Sequence, residues 1–134
     1  MCAAAGLIVY IAGVTWIADR ETLAVRIGPR RWLPGITLVA VLAFFLCGGG
    51  GATRSFTVLA AGAVAWAGYQ GWRLRGVPPR PVLGSAIGGL IRGLLLIQAA
   101  WCTFAGSTSG LAAATILLAL WPISVAAGRR FYAT

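Results

Sequence analysis

The chain has 134 residues, of which 60% are hydrophobic and 10% are charged, and its mean hydropathy is +0.89. A soluble domain carries about 25% charged residues, so the composition predicts a polytopic membrane protein in which residues 1–134 form a single domain. The net charge of +9 reflects eleven basic residues, all arginine, against Asp19 and Glu21. Histidine is absent, which excludes haem ligation by imidazole, a catalytic triad and the usual zinc sites.

Five apolar segments follow one another along the chain. They are Cys2 to Ala18, Leu33 to Gly51, Ser55 to Trp72, Val82 to Ala105, and Gly110 to Gly128. Because a helix of about 20 residues crosses a hydrocarbon layer of ~30 Å, we predict an all-α bundle of about five membrane-spanning helices, with lipid around it. A secretory signal needs positive charge before its apolar stretch, and none precedes the first segment, which we therefore interpret as a retained helix.

The arginines are distributed unequally between the two sides of this predicted bundle. The loops after the first and third segments and the C-terminal tail carry Arg20, Arg26, Arg30, Arg31, Arg73, Arg75, Arg80, Arg129 and Arg130. The loops on the other side carry only Arg54. The positive-inside rule then predicts an N-terminus outside and a C-terminus in the cytoplasm, in a bacterial-type cytoplasmic membrane. Arginines spread over short loops orient helices, so nucleic acid is not an expected partner.

The first segment ends in the only carboxylates of the sequence, within Asp19-Arg20-Glu21. Two carboxylates together with substrate phosphates are ligands that suit Mg²⁺. The nearby Arg20, Arg26, Arg30 and Arg31 are suited to bidentate binding of the same phosphates. The alternative is a solvated loop in which acids and arginines neutralise one another. An acid at a helix C-terminus interacts unfavourably with the helix dipole, which favours a functional role.

The fourth segment contains polar residues within its apolar stretch. An arginine at mid-membrane costs roughly 2.5–3.5 kcal/mol, so Arg92 is a candidate functional residue; alternatively, its side chain extends to the interface. Gln98 is expected to hydrogen-bond to a neighbouring helix, and the small residues Ser85, Gly89 and Gly93 predict close helix packing. The three cysteines, Cys2, Cys47 and Cys102, are expected to be small buried residues, with one outer disulfide as the alternative.

The stretch YIAGVTWIADRE, from Tyr10 to Glu21, resembles the helix end that leads into the second conserved polar loop of the UbiA superfamily of intramembrane prenyltransferases. The stretch IRGLLLIQA, from Ile91 to Ala99, and the ending from Leu120 to Thr134 are similar to the last helices of bacterial members. The resemblance implies an all-helical bundle that binds a polyprenyl diphosphate through Mg²⁺ and two aspartate-rich motifs on the cytoplasmic side. It implies prenyl transfer to a lipophilic acceptor.

By this resemblance, Asp19 and Glu21 fall in the second motif as Mg²⁺ ligands, and the arginines beside them contact the diphosphate. The second motif usually has two aspartates four residues apart, and this sequence departs from that pattern. The first motif has no counterpart, so no catalytic residue is assigned. We therefore expect the C-terminal half of such an enzyme, inactive without an N-terminal half. The alternative is a non-catalytic transmembrane subunit that stabilises a larger complex. A transporter is disfavoured because no acid lies within a span.

Overall fold

The computed structural model describes residues 2–19, 28–47, 53–104 and 106–131. This part of the chain is all-α, as predicted. The α-helices are α1 (Cys2–Asp19), α2 (Leu33–Cys47), α3 (Arg54–Arg73), α4 (Arg80–Phe104) and α5 (Thr108–Phe131), and a 3-10 helix, Gly28–Trp32, runs directly into α2. The bounds agree with the predicted apolar segments to within a few residues at each end.

Three stretches are long and apolar enough to cross a membrane, namely Gly28–Cys47, Arg80–Phe104 and Thr108–Gly128, and a shorter apolar helix runs over Ala4–Asp19. Helix α3 is not among them. It carries an arginine at each end and buries the amide of Gln70, so it is less apolar than its neighbours. The structure is thus compatible with a membrane protein, while the number of spans and their orientation stay predictions.

Consecutive helices pack side by side, most extensively α3 with α4, and α1 also packs against α4. Short connections make neighbouring helices antiparallel. One end of the bundle therefore contains the C-termini of α1, α3 and α5 together with the 3-10 helix and the N-terminus of α4. We call this the arginine-rich end, because Arg30, Arg31, Arg73, Arg75 and Arg80 all lie there.

Helix α4 is the centre of the bundle and contributes more buried residues than any other described helix. The Tyr10 hydroxyl of α1 donates to the Leu90 carbonyl at 2.8 Å, and the Trp66 indole N–H of α3 donates to the Gly89 carbonyl at 2.7 Å. A Cβ on Gly93 would lie 2.9 Å from the Tyr10 hydroxyl oxygen. Gly89 and Gly93 are closely packed, but against side chains of neighbouring helices rather than against helix backbones, and Ser85 of the same predicted face is exposed.

The opposite end of the bundle is closed by a helix cap and an aromatic cluster. Thr53 is the N-cap of α3; its hydroxyl accepts from the Phe56 N–H at 3.1 Å and donates to the Thr103 carbonyl of α4 at 2.8 Å. The Phe45 and Trp101 rings meet edge to face, with centroids 4.9 Å apart. Cysteines 47 and 102 are both free thiols, the former exposed rather than buried as expected.

Candidate functional site

Arginine side chains at the arginine-rich end lie over aromatic rings. The distances from guanidinium carbon to ring centroid are 5.0 Å for Arg30 over Trp16, 5.5 Å for Arg31 over Trp32, 5.9 Å for Arg73 over Tyr69, and 5.8 Å for Arg75 over Trp72. Cations within about 6 Å of a ring centroid are attracted by the ring quadrupole. Aromatic rings are also enriched at membrane–water interfaces. This end therefore carries four cations, each lying over an aromatic ring.

Asp19 lies at this same end, as the exposed last residue of α1. Of the five other predicted site residues in this loop, Arg30 and Arg31 are described, whereas Arg20, Glu21 and Arg26 lie outside the described residues. Within the described ranges, no group of three or more potential metal-ligating side chains comes together. A single carboxylate is the right ligand type for Mg²⁺, but Asp19 alone does not form a magnesium site.

Arg30 and Arg31 are neighbours in sequence but contact different helices. Arg30 lies on Trp16 of α1. Arg31 lies on Trp32, and its backbone carbonyl packs against α3, where a Cβ on Gly71 would come within 2.9 Å of it. The Nε atom of Arg31 is buried and has no hydrogen-bond partner in the described part of the chain. The two arginines therefore flank different surfaces of the bundle.

A polar network that the sequence analysis missed joins α3 to α4 at this end. The Arg73 guanidinium donates to the Gln70 side-chain carbonyl at 3.3 Å and to the Ser85 hydroxyl at 3.4 Å. Gln70 is buried, and its amide occupies the space that a Cβ on Gly89 would need. The available signal was the i, i+3 spacing of Gln70 and Arg73, which places both on one helix face.

The two polar residues of α4 differ from each other in their surroundings. The Arg92 guanidinium lies beside Gly88, one turn toward the arginine-rich end, and beside Gly128 of α5, where a Cβ would be 2.9 Å from Nη2. Helix side chains tilt toward the helix N-terminus, which for α4 lies at the arginine-rich end. Gln98 is exposed, and no described residue of another helix hydrogen-bonds to it, contrary to expectation. Its neighbours Ile97 and Ala99 face the bundle instead.

Two apolar grooves run along the helices near the arginine-rich end. The α1–α4 groove has a volume of about 290 Å³ and is lined by Tyr10, Ile11, Val14, Thr15, Ala18, Ile87, Ile91 and Leu94. The α2–α3 groove has a volume of about 410 Å³ and is lined by Pro29, Trp32, Gly35, Ile36, Val39, Val64 and Gly68. Each groove thus has apolar walls and a cationic neighbourhood at one end, which suits an elongated apolar chain with an anionic head.

Comparisons with protein families, with curated proteins and with solved structures found no match. The resemblance of residues 10–21 to the UbiA superfamily therefore stays a prediction from the sequence. The chemistry available to the described residues is anion binding by guanidinium groups beside apolar grooves, with one carboxylate at the end of α1.

Proposed function

We propose that this chain is the C-terminal portion of a UbiA-like prenyltransferase, which transfers a prenyl group from a polyprenyl diphosphate to a lipophilic acceptor. The observation that carries the proposal is the meeting of Asp19, Arg30 and an apolar groove at the end of α1. Thr15 and Ala18 line the α1–α4 groove, Asp19 follows them on the same helix, and Arg30 lies over Trp16 of that helix. An isoprenoid chain in this groove would have its diphosphate beside Asp19 and Arg30.

In this proposal each group has a distinct role. Arg20, Arg26 and Arg30 bind the diphosphate oxygens and stabilise the negative charge that develops as the bond between the allylic carbon and oxygen breaks. The apolar walls of the α1–α4 groove hold the prenyl chain and exclude water from the resulting carbocation. Asp19 and Glu21 would hold Mg²⁺, which when bound offsets the charge of the diphosphate leaving group. The arginine-rich end faces the cytoplasm, so the diphosphate head lies at the cytoplasmic surface of the membrane while the prenyl chain stays in the apolar layer.

Two carboxylates are too few to hold a pair of metal ions on a diphosphate. The proposal therefore includes a second segment or chain that supplies the first aspartate-rich motif, and the 134-residue chain is inactive alone. Purified alone in detergent with Mg²⁺ and a radiolabelled prenyl diphosphate, it should release no diphosphate. Turnover by the purified chain that disappears in Asp19→Asn would overturn the requirement for a second segment.

The positive arm of the test uses the tagged chain in membranes of its native host. Prenyl transfer in the affinity-purified assembly should fall by about 100-fold in Asp19→Asn, as expected for loss of a group that acts in the transition state. Arg80→Gln is the matched control, because Arg80 is exposed at the same end but is not a lining residue of the α1–α4 groove. Unchanged transfer in Asp19→Asn would contradict the proposal.

The second candidate is a non-catalytic transmembrane subunit of a larger membrane complex, and helix α5 favours it. Among the described side chains of α5, only Ala114 is buried, and α5 packs chiefly on α4. Ile116 and Ile123 are more than half exposed on its open face. A photo-crosslinking residue at Ile116 should join the chain to one partner protein in native membranes. Crosslinks to lipid alone, as expected from the control position Val58 on α3, would contradict this function.

A further inference from the structure

The α2–α3 groove is separate from the groove that the proposed prenyl substrate would occupy. Trp32 and Gly35 form one wall, and Val64 and Gly68 of α3 form the other. A Cβ on Gly35 would lie 3.8 Å from the Gly68 nitrogen, so the two helix backbones nearly touch along the floor of the groove. The lining of this groove is almost entirely apolar, which suits a hydrocarbon chain.

The cation beside this groove is Arg31. Its guanidinium carbon lies 5.5 Å from the centroid of Trp32, a groove-lining residue. Its Nε is buried without a hydrogen-bond partner among the residues that the structure describes, so the headgroup would meet the two Nη groups of this half-buried side chain. A guanidinium presents five donors in a fixed fork that matches phosphate oxygens. Asp19, the one carboxylate that the structure describes, is the exposed last residue of α1.

We propose that the α2–α3 groove binds one anionic phospholipid, with its phosphate on Arg31 and one acyl chain lying along the floor formed by Gly35 and Gly68. The apolar lining fits the chain, the Arg31 cation beside Trp32 fits the headgroup, and the aromatic rings at this end favour the depth of the membrane interface, where the two meet. The inference goes beyond the proposed prenyl transfer. It requires only that the bundle lies in a membrane, so it stands or falls independently of that activity.

The test is native mass spectrometry of the purified full chain with dioleoylphosphatidylglycerol or dioleoylphosphatidylcholine. The wild-type chain should retain one phosphatidylglycerol with about tenfold preference over phosphatidylcholine, because the anionic headgroup makes the charge-assisted contact. Arg31→Gln should remove the preference, with Arg80→Gln as the matched control at the same end. Equal retention of the two lipids by the wild type, or an equal loss in both arginine variants, would overturn the proposal.

The groove itself is tested by Gly68→Leu, whose side chain projects into it. Gly62 is the control on the same helix, because no atom lies within 4 Å of a Cβ at either position and Gly62 does not line the groove. Gly68→Leu should lose the retained phosphatidylglycerol, and Gly62→Leu should keep it. Equal behaviour of the two leucine variants would overturn the proposal.

A spectroscopic readout covers the case in which Gly68→Leu does not fold. The fluorescence of Trp32→Phe is subtracted from that of the wild type, and the difference is the emission of Trp32. Brominated phosphatidylglycerol should quench this difference signal more strongly than brominated phosphatidylcholine at equal mole fraction. Identical quenching by the two lipids would overturn the proposal.

Discussion

At the scale of single residues, Gly93 of α4 lacks a side chain, and side chains of α1 and α3 pack into the space that this leaves. The site of its missing Cβ lies 2.9 Å from the Tyr10 hydroxyl of α1 and 3.4 Å from Cδ1 of Trp66 of α3. The same Tyr10 hydroxyl donates a hydrogen bond to the Leu90 carbonyl at 2.8 Å. A methyl group at this position would lie too close to the hydroxyl oxygen that makes this hydrogen bond.

Gly93→Ala is therefore expected to lower the free energy of unfolding by about 1–2 kcal/mol. Overpacking typically costs 1–3 kcal/mol, and the better helix propensity of alanine returns up to about 1 kcal/mol. Gly62→Ala is the control, because no atom lies within 4 Å of its Cβ; it should be neutral or slightly stabilising. Unfolding by SDS in mixed micelles measures both.

A double-mutant cycle distinguishes the clash with Tyr10 from a general effect of alanine. Tyr10→Phe alone should cost about 1 kcal/mol for the lost hydrogen bond. In that background Gly93→Ala should cost clearly less than in the wild type, because the hydroxyl that it displaces is gone. Strict additivity of the two substitutions would contradict the packing inferred around Gly93.

Sequence reasoning at this scale found the small residues of α4 but not the polar residue that packs on them. Gln70 and Gln98 have the same side chain in two apolar helices, yet Gln70 is buried and Gln98 is exposed. The difference depends on which face of each helix meets a neighbour. A sequence pattern does not fix that face when the whole helix is apolar, because there is no polar side to set its rotation.

At the scale of elements, the 3-10 helix Gly28–Trp32 docks on α3 through Gly71. A Cβ on Gly71 would lie 2.9 Å from the Arg31 carbonyl oxygen and 3.2 Å from a ring carbon of Trp32. The nearest atom is backbone, so relief requires movement of the 3-10 helix rather than of a flexible side-chain end. Gly68, one turn earlier on α3, meets no atom within 4 Å.

The prediction at this scale compares two alanines on one helix. Gly71→Ala should lower the free energy of unfolding by about 1–3 kcal/mol, because the docked backbone has to shift. Gly68→Ala should leave it unchanged or raise it by up to about 1 kcal/mol through helix propensity. The measurement is the same SDS titration in mixed micelles. Equal stability of the two variants would show that the 3-10 helix does not pack against α3 as described.

The ends of the helices can be predicted from the sequence, because apolar runs and the glycines, prolines and charged residues that interrupt them are features of neighbouring residues. Helix α3 starts one residue before the predicted segment, and α4 starts at Arg80 rather than Val82. Gly84, Gly88 and Gly89 lie near the start of α4, yet the helix is continuous from Arg80. Glycine costs only about 1 kcal/mol within a helix, and packing against α3 outweighs that cost.

At the scale of the whole molecule, most of the described arginines lie at one end because antiparallel helices bring alternate loops together. The sequence predicted this grouping from the loop positions alone. It placed Arg30 and Arg31 in one phosphate-binding group, which stays a prediction; the structure adds that their guanidinium groups lie apart, over Trp16 and Trp32. That separation depends on which helices flank the 3-10 helix, a long-range property that loop composition does not encode. The orientation of the bundle across the membrane stays a prediction.

The measurement that tests the central claim most directly is cysteine accessibility in intact cells. Arg54→Cys and Arg75→Cys are made separately after Cys2, Cys47 and Cys102 are replaced by alanine; both arginines are exposed, at opposite ends of the bundle. A membrane-impermeant maleimide should label Arg54→Cys in intact cells and Arg75→Cys only after permeabilisation. Labelling of Arg75→Cys in intact cells, with Arg54→Cys protected, would contradict a cytoplasmic arginine-rich end.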